Sequence, residues 1–263
     1  MNISQEDKNY LIEQIEAHIG ERPFFYLKFC SEKKYAEDVA GGNLFGNTAE
    51  YFRKLENESG EQGQGDKHEL ISIVETQNIT MLDPETGNVL FTAPSGHMRI
   101  EFGVDKTIPI VCFVGIPLRD MVLFAYDENH AEFRFPFTNE DCKAMKTKFG
   151  EHCTIIGARE LEARIERCCA EIGTEYIFDK VIYCSQNTIQ RMEAFNQGSK
   201  ERFLYKNKSF EYQREFRLAI AIEMPEDHFI RLGKIESAKV FLSDEICNFG
   251  FSIEYKTVLK EKC

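Results

Sequence analysis

Apolar and polar positions along this chain change period several times, and the changes mark out its elements. Residues 4–20 space Tyr10, Leu11, Ile12, Ile15 and Ile19 for one helical face, with Gly20 as the stop, which predicts a short amphipathic helix. Phe24 to Cys30 is rich in aromatics and predicts a strand. Ser31 stands where a cap would open a helix over 32–40, and Gly41-Gly42 would end it. An extended segment at 43–45 follows, then a stripe of Tyr51, Phe52 and Leu55 within 48–55. From Glu56 to His68 the chain runs through Gly, Gln, Glu and Asp, which predicts an exposed, unpacked loop.

Beyond that loop, segments 70–82 and 88–92 flank Asp83-Pro84-Glu85-Thr86-Gly87, whose turn residues predict a β-hairpin. Extended segments are expected at 97–102, 109–114 and 131–137, and helices at 139–148 and 158–172. A strand at 178–185, a helix at 187–203 and a strand at 216–222 come next. Two short strands near 228–232 and 238–242 precede a tail read as a short helix and a strand at 252–258. No repeat and no long linker divides the chain. The pattern predicts one α+β domain over 1–263, its core about 24–258, built on a central, mostly antiparallel sheet with flanking helices.

Composition narrows the setting. A length of 263 residues suffices for a sizeable core, and the net charge of -12 argues against a general nucleic-acid surface, which needs clustered Lys and Arg. A nucleotide held in one local pocket is still compatible with that charge. Nine scattered cysteines, with Cys168-Cys169 the only close pair, have the spacing of neither a metal site nor a disulfide framework, so no metal is expected. Reduced thiols, a polar start and no apolar run near ~20 residues predict a cytoplasmic protein without a signal peptide or membrane span.

Four islands carry candidate chemistry. In Phe210 to Ile222, strand periodicity puts Gln213, Glu215 and Arg217 on one side of a buried run. Convergent polar groups there suit a pocket, although spacing alone equally allows a solvated edge. Gly63-Gln64-Gly65 permits close backbone approach to a ligand, with Asp66 and Glu69 able to accept from a ribose or base; a plain flexible loop has the same composition. Tyr126 to His130 offers His130 as an acid/base or phosphate-orienting group, where a satisfied structural histidine is the commoner case. Phe178 to Tyr183 reads as core strand, and the helical Cys168-Cys169 as packing.

The order of these islands resembles a large bacterial group of domains of unknown function marked by an early Asn-Asp-Pro-x-Glu motif. Gly42-Asn43-Leu44-Phe45 matches its turn after the first strand and helix. Asp66 and Glu69 match its acidic pair, with Gly65 and Lys67 in place of Asn and Pro. Tyr126, Asn129 and His130 match a Tyr-x-x-Asn-His segment, and Lys180, Val181 and Tyr183 a Lys-Val-x-Tyr strand. Lys206, Phe210, Tyr212, Gln213, Glu215 and Arg217 match a late segment that carries Trp at the Phe210 position and Glu at the Gln213 position. The likeness spans about residues 25–222.

The chain is also distantly similar to ADP-ribosyltransferases, which open with a strand, a helix and a Gly-turn-strand and end with Gln-x-Glu leading into a late strand. That resemblance implies an ADP-ribosyltransferase-like fold and NAD as cofactor. Glu215 would then bind the nicotinamide ribose and stabilise the oxocarbenium-like transition state, while Gln213 orients the acceptor. Lys28, Arg53 and His130 are its candidates for the pyrophosphate, and Asp66, Glu69, Tyr126 and Arg217 complete the implied cofactor set. Two readings follow. One is a nucleotide-using, NAD-consuming or ADP-ribosyl-transferring effector in bacterial or phage conflict, acting on a nucleotide or protein substrate. The other is a non-catalytic nucleotide- or protein-binding module of defence or counter-defence, whose acidic surface selects basic partners.

Overall fold

The computed structural model describes residues 5–19, 22–59, 65–127 and 129–254. The chain opens with α1 (Gln5–Ile19), β1 (Pro23–Cys30), α2 (Lys33–Ala40), β2 (Asn43–Phe45) and α3 (Ala49–Ser59). The long ribbon strands β3 (Ser72–Leu82) and β4 (Val89–Ile100) come next, then β5 (Ile110–Pro117), β6 (Val122–Tyr126) and β7 (His130–Arg134). They are followed by α4 (Asn139–Phe149), β8 (His152–Gly157), α5 (Ala158–Ile172), β9 (Tyr176–Lys180) and β10 (Ile182–Cys184). Last come α6 (Ile189–Asn196), β11 (Tyr205–Asn207), β12 (Glu215–Ile220), β13 (Phe229–Arg231), β14 (Lys239–Leu242) and β15 (Gly250–Glu254). The fold class is α+β, and its strand pairings are mostly antiparallel.

The chain divides into two compact, sequence-interleaved units, and it passes from one to the other within β5. The first comprises residues up to Phe45, Phe113–Ile172 and from Phe229 on. Its strands run in the order β14-β8-β1-β5 with antiparallel pairings, beside a three-stranded β15-β7-β6 sheet and the β13–β2 pair. Its core joins Leu11, Ile12 and Ile15 of α1 to Leu27, Ile116, Phe133, Cys153 and Ile155. Stacked and edge-on rings of Phe25, Phe133, Phe135, Phe249 and Phe251 thicken it.

The second unit, Gly46–Cys112 with Gly173–His228, has a smaller core of Ala49, Leu70, Ile110, Phe203 and Ala219. Here β12 pairs antiparallel with β9, β10 pairs parallel with β11, and β3 with β4 makes a two-stranded ribbon. All six residues of β12 are buried, so the strand is covered on both faces. That is why Phe216 to Ile220 reads as a near-continuous apolar run rather than an alternation.

Several expectations are corrected. The cap of α2 is Glu32, not Ser31, and its side chain makes no capping bond. The described parts of the expected 56–68 loop are packed: α3 continues to Ser59, and Glu56, Gly65 and Asp66 are buried, while residues 60–64 lie outside the described residues. Gly65 lies so close to α3 that an added Cβ would stand 2.4 Å from the Glu56 nitrogen, which only glycine tolerates. The expected strands 88–92 and 97–102 are one strand, β4, with Pro94 inside it on a ribbon whose edges can spare its missing N–H. The expected strand 178–185 breaks at Val181, whose N–H bonds the Glu215 carbonyl. The expected helix 187–203 ends at Asn196, because Gly198 turns left-handed at φ +64 before a 3-10 turn over Lys200–Leu204. Strands β6 and β8 have no counterpart in the sequence reading. The residues from 255 on, which include the end of the expected strand 252–258, lie outside the described residues, as do Gly20, Gly63 and Gln64.

Candidate functional site

The start of β12 carries the densest polar cluster among the described residues. Arg217 is 1% exposed and cannot reach water, so its charge has to be met inside. Its Nη1 and Nη2 donate to the two oxygens of Glu69 at 2.6 and 3.1 Å, a bidentate pair. Its Nε donates to Glu215 Oε1 at 2.8 Å, and Nη1 also reaches the Phe203 carbonyl at 2.9 Å. Lys206 Nζ, also buried, donates to Glu215 Oε2 and to Gln213 Oε1, each at 2.9 Å, and lies 4.7 Å from the Phe210 ring centre.

The backbone delivers these groups in a definite way. Glu215 and Arg217 are two apart on β12, so they share a face, whereas Gln213 sits in the 3-10 turn Lys208–Gln213. Arg214 then takes the left-handed conformation, φ 46, and swings the chain into the strand. The Glu215 N–H donates to the Tyr183 hydroxyl at 2.9 Å, so Tyr183 receives the strand's first donor rather than acting as a plain core wall. On the other side, Leu70 follows Glu69 with φ 50. A left-handed non-glycine therefore adjoins each carboxylate of the Arg217 clamp, a conformation that costs on the order of 1–3 kcal/mol and persists only under strong surrounding constraint. Arg53 supplies part of that constraint through bonds to the Glu69 and Leu70 carbonyls at 2.7 and 3.2 Å.

Charge decides the protonation states. Burial alone would raise the Glu215 carboxyl, but Arg217 and Lys206 outweigh it and hold it well below the usual carboxylate range. Burial works against charge on Lys206 and Arg217 as well; Glu215 and Glu69 overcome it and keep both cations protonated. Asp66 behaves in the opposite way. Burial and the Glu69 charge push its carboxyl up to about 6, although the His68 N–H, Lys206 and Arg217 pull it down. Burial and the Glu215 charge also raise the Tyr183 phenol, which stays protonated.

Of the expected site residues, Asp66, Glu69, Gln213, Glu215 and Arg217 belong to this one cluster, and Arg53 buttresses its backbone. Lys28, Tyr126 and His130 belong to the other unit. There Lys28 Nζ lies 5.6 Å from the Phe113 ring centre, Tyr126 pairs with Ala131, and His130 pairs with Glu254. Lys206 emerges as a central member that sequence reasoning left out of its site set. Its signal was present in the spacing Lys206…Gln213-x-Glu215. No cluster of three or more metal-ligating side chains occurs among the described residues.

A nicotinamide ribose would need a Glu215 oxygen turned toward it. Both Glu215 oxygens instead face cations, and the residue is 4% exposed. What the arrangement does directly is join β12, the 206–213 turn and the Asp66–Leu70 turn that feeds β3. No family model, curated protein or solved structure matches this chain.

Proposed function

We propose that the chain is a non-catalytic, protein-binding module whose working part is the β3–β4 ribbon. The observation that carries this reading is the ribbon's outer half, where Met81, Leu82, Val89, Leu90 and Phe91 are each 53–59% exposed. An unsupported two-stranded hairpin is marginal in water, and exposed contiguous apolar side chains favour association. Among the described residues β3 and β4 pair only with each other, so their outer backbone edges suit strand addition by an extended peptide. The turn between them carries Asp83 and Glu85 on a chain of net charge -12. The partner that fits is an apolar extended segment flanked by basic residues.

The buried network supports this reading as the ribbon's anchor. Residues 69–71 lead into β3 and residues 72–73 begin it, and Arg217, Arg53, Arg191 and Gln186 all bond within this stretch. The test is site-directed photocrosslinking from position 90 in cells, followed by titration of the purified partner. Binding should vanish in Leu90→Asp and Phe91→Asp while the melting temperature holds. Self-association that the same variants dissolve would make the occupant a second copy of this chain. Undiminished binding in both variants would remove the ribbon from the interface.

A second reading, turnover of NAD or another nucleotide, draws support from the meeting of Asp66, Glu69, Gln213, Glu215 and Arg217 in one cluster. Incubation with NAD and assay of released nicotinamide, repeated with Glu215→Gln, separates the two. Release by the native chain that the variant lacks would favour the enzyme.

A further inference from the structure

Arg191 of α6 is 1% exposed and carries a full positive charge into the second unit. Its Nη2 donates to the Ile71 carbonyl at 2.8 Å, but Nε and Nη1 have no hydrogen-bond partner. Other buried donors at the same place are also unanswered. Gln186 accepts from the Ile73 N–H at 3.3 Å, while its amide nitrogen has no partner, and neither has the hydroxyl of fully buried Ser72, the residue between Ile71 and Ile73. Alternate residues of an extended chain turn their backbone groups to the same edge, so Arg191 and Gln186 meet the same edge of β3 two residues apart.

We propose that this edge is a binding site for a small oxyanion, of phosphate or carboxylate type, held by Arg191 with the Gln186 amide and the Ser72 hydroxyl. The donor chemistry points that way. The unanswered nitrogens can only donate, and the hydroxyl can donate too, so the set calls for an acceptor rich in lone pairs. A buried guanidinium with unmet N–H groups is strongly disfavoured, and an anion that accepts from them removes that penalty. The surroundings are cationic although the chain is acidic. Half-buried His68 is disfavoured as a cation first by burial and then by Lys67, with Arg191 and Arg99 adding to the effect and Glu56 opposing it. His68 and Gln186 are both partly open to solvent, which gives an anion a way in.

The test uses the full chain and two probes, inorganic phosphate and acetate, at fixed ionic strength set with sodium chloride. Either probe should raise the melting temperature saturably. For phosphate, the 31P resonance should broaden on addition of protein. A response to phosphate alone places a phosphate group in the site, and a response to acetate places a carboxylate there. Arg191→Met should abolish the response, but it also empties a packed position. Gln186→Glu keeps the acceptor for the Ile73 N–H and supplies a built-in counter-charge to Arg191. That variant should melt higher than the native chain without added anion and lose at least about tenfold in anion affinity. A native chain whose stability follows only ionic strength would overturn the proposal, and so would an unchanged affinity in Gln186→Glu.

Discussion

Arg217 grips Glu69 across 148 residues of sequence with two parallel N–H···O bonds, and the same guanidinium holds Glu215 through Nε. Removing the cation would strand the buried Glu69 carboxylate and leave Glu215 to Lys206 alone, which is far costlier than losing a surface pair. Arg217→Met should therefore cost about 3–5 kcal/mol in urea denaturation. Adding Glu69→Gln to that variant should recover part of the loss, because the stranded charge is then gone, whereas Glu215 has to stay as the partner of buried Lys206. A single-variant cost below about 1 kcal/mol would place the pair with exposed ion pairs instead.

Asp66 gives the cluster an unusual pH dependence. Its carboxyl titrates near 3.8 when unperturbed and is pushed up to about 6 in the fold by burial and by Glu69. Between those values the folded chain holds a proton that the unfolded chain has released, so this group's contribution to stability falls as pH rises. The full shift corresponds to about 3 kcal/mol as an upper figure. Asp66→Asn should melt higher than the native chain at pH 7–8 and no higher at pH 4. Glu215 acts with the opposite sign: its depressed carboxyl contributes stability at neutral pH that is lost only on acidification below its ordinary value of 4.5. Thermal melts of both Asn and Gln variants from pH 3 to 8 would separate the two contributions.

Much of the architecture is legible in the sequence because its elements are periodic. The helix Ala158–Ile172 and the strand starting at Pro23 fall where spacing put them. Strand β8 escaped because it is buried on both faces and its buried positions include Cys153 and Thr154, whose burial owes more to neighbours than to hydropathy; the Thr154 hydroxyl bonds the Ala36 carbonyl at 2.9 Å. Within the site, the period of two put Glu215 and Arg217 on one face, and composition picked out Asp66 and Glu69. What the sequence could not carry is that Arg217 spends its donors on Glu69, since a bond across so many residues leaves no local trace. The same holds for Lys28 and His130, whose candidacy rested on chemistry and order alone.

Gly65 is the point where the Asp66 turn meets α3. A methyl there would sit 2.4 Å from the Glu56 nitrogen, against backbone that cannot yield. Glu56 in turn accepts the Lys67 N–H at 2.7 Å, so a displaced turn also loses that bond. Gly65→Ala should destabilise by about 1–3 kcal/mol, the range for overpacking, when read by denaturant midpoint at unchanged slope.

Exposed Arg214 should respond the other way. It holds φ 46 immediately before Glu215, where a Cβ crowds the following carbonyl at a cost of about 1–2 kcal/mol. Glycine adopts that conformation without the clash but loses more entropy on folding. Arg214→Gly should therefore be neutral to stabilising by about 1 kcal/mol. A clear loss of stability in the melt would show that the side chain does more than tolerate the turn.

The ribbon offers the sharpest separation of fold from function. Its root is buried at Ser72 and Val74, whereas Met81, Leu82 and Val89 to Phe91 are more than half exposed. Burial stabilises at about 25 cal/mol per Å² of apolar surface, so side chains left in water contribute little to the folded state. Ile79 faces Ala93 across the ribbon, which makes that pair a natural place to close it early. Replacing residues 80–92 by Asn-Gly, the preferred two-residue hairpin turn, should change unfolding free energy by less than about 0.5 kcal/mol. The shortened chain should keep its response to phosphate or acetate and lose partner binding. Should the shortened chain instead lose more than about 2 kcal/mol, the outer ribbon is part of this protein's own packing and the binding role falls with it.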